Sequence, residues 1–170
     1  LSATDFQLDD LARPAGPAAL GASWVAVPRG LADLDENPAG LSVLSSAAAS
    51  FVRNALPGDL AADSLSLASP WSGQPVALQW RHLELRVAAD ALSLGWASQL
   101  GRGLRLGSSL ACLRQALQGN EGLGASLALG LQTELPGGWS WGADLRHLGW
   151  LSEAGAPAET LEPSLGAGVA

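Results

Sequence analysis

The stretch ALSLGWASQL, Ala91–Leu100, decides the fold. Leu92, Leu94, Trp96 and Leu100 fall on even positions, while Ser93, Gly95, Ala97 and Gln99 are small or polar residues on odd ones. Successive side chains of an extended chain point to opposite faces, so a period of two reads as a strand with one apolar side.

The same design recurs three more times. After a turn at Gly101–Gly103, LRLGSSLACLR sets Leu104, Leu106, Leu110 and Cys112 against Arg105, Gly107, Ser109 and Ala111. LGASLALGLQTE sets Leu123, Ala125, Leu127, Leu129 and Leu131 against Gly124, Ser126, Ala128, Gly130, Gln132 and Glu134. WSWGADLRH sets Trp139, Trp141, Ala143 and Leu145 against Ser140, Gly142, Asp144 and Arg146.

The contents of the two faces choose between a soluble sandwich and a membrane barrel. The solvent face of a sandwich carries abundant charge, whereas the polar face here is Gly, Ala and Ser with sparse charge. A Leu-rich face opposite a small or polar one is the pattern of an outer-membrane strand. Strands of roughly 9 to 12 residues also suit a tilted membrane crossing better than a globular sheet. Connections point the same way: the turns at Gly101–Gly103 and Pro136–Gly138 are tight, while Gln115–Gly122 and Leu148–Pro163 read as longer acidic loops. Trp139 and Trp150 then stand beside connections, where interface aromatics are expected.

The earlier part of the chain is less regular. PVALQWRHLELRVAAD reads as one strand with Leu83, Leu85 and Val87 opposite His82, Glu84 and Arg86, entered after the turn SPWSGQP. LSVLSSAAASFVRNALPG has apolar residues at both helical and strand spacings, and its alanine density slightly favours a helix. LDENPAGLSVL, Leu34–Leu44, holds a tight turn: Asn37 before proline avoids helical angles, Pro38 lacks an amide hydrogen, and Gly40 tolerates positive φ.

Composition closes off several classes. With 170 residues, 48% hydrophobic and 15% charged, the chain suits one sizeable domain and is too apolar for disorder. Its net charge of -7 and scattered arginines exclude a nucleic-acid partner. No run reaches the 18 apolar residues of a spanning helix. The one cysteine, Cys112, has no second thiol to pair with and reads as a packing residue.

The N-terminal third carries a resemblance. Ala12–Leu44, through Arg13, Gly16, Gly21, Ala22, Trp24, Val25, Ala26, Asp33, Asp35 and Asn37, Pro38, Ala39, Gly40 and Leu41, resembles the N-terminal signature of outer-membrane barrels. The families concerned are the FadL-like long-chain fatty-acid transporters and the PorV/PorQ proteins of type IX secretion. Leu92–Gln115 is similar to the hairpin that follows in them. Pro28-Arg29-Gly30 departs from the pattern by interrupting an alanine- and acid-rich stretch. The resemblance implies an antiparallel transmembrane β-barrel, here its N-terminal strands only, with residues 1–55 as a hatch or plug-like segment and 56–170 as barrel strands. It implies a bacterial outer-membrane location and lipid contact. It also implies either passage of a hydrophobic small molecule or contact with secretion-system proteins. Asn37–Leu41 would sit at the mouth or in the lumen, where hydrogen-bond partners exist.

No enzyme chemistry is legible. His82 and His147 have no metal-ligand spacing, GRGLRLG joins two strands rather than opening a helix, and Ser108-Ser109 lacks a nucleophile elbow. No cofactor is expected. Arg105, Ser109, Asp144 and Arg146 are the polar residues expected to face the lumen, with Asp144 and Arg146 close enough to pair. The reading is a transport-type outer-membrane barrel protein, with a secretion scaffold or a soluble all-β binding or structural domain as alternatives.

Overall fold

Alternating strands joined by short turns can only pair with their neighbours, and the chain does this throughout. A computed structural model describes residues 25–34, 36–56, 60–84, 88–101, 103–117, 120–153 and 157–170. They form one antiparallel sheet in sequential order: β1 Ala48–Leu56, β2 Leu60–Trp71, β3 Gln74–Glu84, β4 Ala88–Leu100, β5 Leu104–Leu117, β6 Asn120–Glu134, β7 Ser140–Glu153 and β8 Glu159–Thr160. A short β9, Ser164–Val169, also pairs with β7, so β8 and β9 share the eighth position as one interrupted strand. The sheet is open, with β1 at one edge and the β8–β9 line at the other.

Turn chemistry fixes the register. Ser72 and Gly73 both have positive φ, 55° and 80°, between Trp71 and Gln74. Two left-handed residues make the primed two-residue turn whose twist suits a hairpin, so β2 and β3 pair residue for residue from Trp71↔Gln74 to Ala61↔Glu84.

Three expectations change. The single strand expected over Pro75–Asp90 is two strands, β3 ending at Glu84 and β4 starting at Ala88; Leu85, Arg86 and Val87 lie outside the described residues. The stretch whose alanines favoured a helix forms β1 instead, because cross-strand pairing with β2 overrides a weak propensity. The loop expected at Gln115–Gly122 is largely strand, since β5 runs to Leu117 and β6 starts at Asn120, and the one expected at Leu148–Pro163 begins and continues as strand, with β7 reaching Glu153 and β8 at Glu159–Thr160.

The two faces differ sharply. On one, Leu65, Leu67, Leu78, Leu92, Leu94, Trp96, Leu106, Leu110 and Leu129 are exposed. On the other, Ala62, Ser64, Ser66, Ala77, Gln79, Arg81, Ser93, Ala97, Arg105, Gln132 and Asp144 are buried. This second face is covered by Val25–Leu44, which includes two 3-10 turns, Gly30–Asp33 and Pro38–Val43, the second packed on β3, β4, β5 and β6. Leu34 and Leu41 pack there on Ala68, Ala77 and Ala97, where small side chains leave room for them. Further along the face, Leu161 folds between β8 and β9 to join Ala91, Leu113 and Leu151.

Candidate functional site

The junction between Val25–Leu44 and the sheet gathers the buried polar groups, and Asn37 is at its centre. Asn37 caps the second turn: its Oδ1 accepts from the Ala39 amide at 3.2 Å, and Pro38 follows where its missing N–H costs nothing. The Asn37 amide nitrogen donates to the carbonyls of Val25, Leu131 and Ala143 at 2.8, 3.1 and 3.3 Å. One fully buried side chain thereby ties the segment to itself, to β6 and to β7. The Gln132 side chain adds a bond from its Nε2 to the Val25 carbonyl at 2.9 Å.

Close approach is possible because strand positions on the covered face lack a side chain: a Cβ at Gly95 would overlap Leu34, and one at Gly142 the Val25 carbonyl. A Cβ at Gly107 would overlap the backbone of Pro38 and Ala39, and one at Gly130 would overlap the Asn37 amide. Both glycines occupy the covered face, where β5 and β6 pair Gly107↔Gly130. The smallness of this face is thus matched to a backbone lying on it.

Charge is concentrated at the same junction. Arg146 reaches Glu36 Oε2 at 3.2 Å, and its Nε lies 2.7 Å from Asp144 Oδ2 in a charge contact not aligned as a hydrogen bond. Arg105 is buried and pairs with Glu134. Asp33 is completely buried in the first turn and accepts the backbone N–H of Arg29. Its desolvation raises its pKa to about 7, outweighing the lowering by the backbone donors Arg29 and Gly30 and by the Arg29 charge.

Asn37, Pro38, Ala39, Gly40 and Leu41 therefore lie together, buried between the segment and the sheet. Arg105, Ser109, Asp144 and Arg146 lie on the same covered face; Ser109 is buried on β5 without reaching the Arg146 cluster. Among the described residues no three side chains of metal-ligating type come together. His82 stacks on Trp80 with ring centroids 5.8 Å apart and meets Asp90 Oδ1 at 2.9 Å, while His147 is on β7, with three strands between them.

Glu36 was not singled out in the sequence, nor was the sealed position of Asp33. Both sit in an acidic stretch of sequence, and the path of the segment over the sheet buries them. No family model matches the chain, and neither curated proteins nor solved structures yield a match.

Proposed function

We propose that the chain forms wall strands of an outer-membrane β-barrel whose N-terminal segment lies inside, and that the barrel serves passage of an apolar small molecule. The observation that carries this reading is the inverted distribution of polarity: buried Arg, Asp, Gln and Asn on one side, exposed Leu and Trp on the other. Water would favour the reverse, whereas a bilayer favours this order.

A charged row bounds the apolar band. Arg53, Asp63, His82, Asp90 and Arg114 face one another in register across β1 to β5 on the open face. Arg53 and Asp63 pair at 3.7 Å, and Arg114 pairs with Glu121 at 2.6 Å. From Asp90 to Leu100 the chain spans about 33 Å along β4. Tilted by about 40°, that becomes about 25 Å, the height of an outer-membrane apolar band. Trp71 and Trp139 lie beyond or beside the far end of this band, and Trp80 lies just inside the charged row, as interface aromatics do.

The resemblance to FadL-like transporters supports the transport reading, and the resemblance to PorV/PorQ proteins supports a secretion scaffold using the same wall. Membrane placement is tested with a water-soluble thiol reagent on cells expressing the full-length protein in a Cys112→Ser background. Arg53→Cys is expected to react and Leu94→Cys to stay silent until the membrane is dissolved; equal labelling of both in intact membranes overturns the proposal. Transport is tested separately by uptake of a fluorescent fatty acid in folded Asn37→Ala and Pro38→Gly variants. Lost uptake supports passage past the segment, and no uptake by the parent protein favours the scaffold.

A further inference from the structure

The Asp33 carboxyl has an unusual position for an acid. It is completely buried, Gly40 covers it so closely that a Cβ there would overlap the carboxylate, and Oδ1 has no hydrogen-bond partner. Its neighbours offer little positive charge. Arg29, exposed at the start of the turn, and Glu36, three residues on, are the charged groups acting on it from its own segment. Glu36 and Asp144 already share Arg146 of β7. The second 3-10 turn, packed directly on the first, contributes no charge, and among the described residues the strands touching the first turn carry only Arg53 of β1 and Asp63 of β2, which pair with each other on the opposite, open face of the sheet. Further off, the covered face holds Arg81 on β3 and Arg105 on β5, the latter paired with Glu134.

We propose that Asp33 is a proton switch for the docking of Val25–Leu44: the docked segment holds a proton on this carboxyl, and the segment loosens as the medium becomes alkaline. An ionised Asp33 would place a second negative charge beside Glu36 with one oxygen unsolvated and unbonded, a cost that undocking relieves by returning the group to water. The sign follows from linkage. A carboxyl with a pKa raised to about 7 when docked and 3.8 when free contributes its full docking stability below the free value. That contribution falls by up to about tenfold in the docking constant per pH unit and is gone above the docked value. This inference concerns the segment and the sheet and does not depend on what the open face contacts.

A spin label at Val43→Cys, in the full-length Cys112→Ser protein, reports the segment's mobility. Urea titrations of that mobility from about pH 4.5 to about pH 8.5 are expected to give midpoints that fall up to about pH 7 and then level. Asp33→Asn, which keeps shape and removes the ionisation, is expected to give a flat profile. A parent midpoint that is constant or rises over this window overturns the proposal, as does an Asn variant that falls in parallel. Should the Asn variant fail to fold, infrared spectra of the parent with carboxyl-labelled aspartate decide. A buried protonated carboxyl band that disappears near pH 7 supports the switch, and no such band above about pH 5 overturns it.

Discussion

A single amide carries an outsized share of the segment's attachment. Asn37 has two donor hydrogens and meets three carbonyls, so at least one hydrogen is shared, and its oxygen closes the turn that aims it. Asn37→Ala is expected to destabilise the docked segment by about 1–3 kcal/mol, since the Val25 and strand carbonyls lose a buried donor. Asn37→Asp is expected to cost more, because it points a negative oxygen at those same carbonyls; proteolysis within Val25–Leu44 compared with the sheet reads the difference. Arg146 is the other single point of dependence. Arg146→Gln leaves Glu36 and Asp144 buried without their cation, a loss of about 3–5 kcal/mol in denaturation, whereas exposed Arg114→Gln is expected to change little.

At the scale of the strand, β7 shows what alternation can and cannot reveal. Gly142 and Asp144 lie buried on even positions, yet Leu151 is buried on an odd one. The register supplies the reason: Leu127 pairs with Leu148 and Leu129 with Leu145, so β7 holds one residue more than β6, and His147 takes φ 62° at the bulge. Without it Trp150 would turn onto the covered face and Leu151 away from it. His147→Val is expected to destabilise by about 1–2 kcal/mol because a β-branched residue resists left-handed angles, while His147→Gly is tolerated; urea midpoints distinguish the two. The strands with strict alternation, β4 to β6 and the first half of β7, were legible because each position has one of two faces to choose. The bulge was not, since a histidine in a polar context announces no change of parity. β1 was ambiguous because alanine suits both periods, and β3 and β4 merged because Leu83, Leu85 and Val87 keep a period of two past Glu84 with no glycine or proline to mark a break. Of the site, Asn37–Leu41 and the Asp144–Arg146 pair could be picked out by turn chemistry and by spacing of two, but Glu36 and Asp33 needed the segment's path. The open face makes its own prediction: Leu94→Arg, at the middle of β4, is expected to cost about 2–4 kcal/mol in a bilayer, measured by folding into lipid vesicles.

At the largest scale, the described residues form a sheet whose two faces are committed but whose edges are not. Eight strand positions alternate in direction, so β1 and the β8–β9 line run antiparallel and could in principle pair directly. Geometry argues against it. An eight-stranded barrel has an interior about wide enough for its own side chains, and here the covered face also holds a length of backbone from Val25 to Leu44. On the barrel reading proposed above, a wall that encloses this segment needs more strands than these eight positions, and in a bilayer each unpaired edge group costs several kcal/mol until such strands are supplied. The residues of this chain alone are accordingly expected to aggregate rather than to give a monomeric, heat-modifiable barrel. The edges can be probed directly with Arg53→Cys on β1 and Ala167→Cys on β9, both on the open face, in the Cys112→Ser protein. A disulfide needs Cα atoms within about 7 Å, which direct closure would provide and interposed strands would prevent. Efficient intramolecular cross-linking of this pair would show that the two edges meet and would remove the argument for further strands; persistent free thiols in a folded, membrane-inserted protein are the expected result.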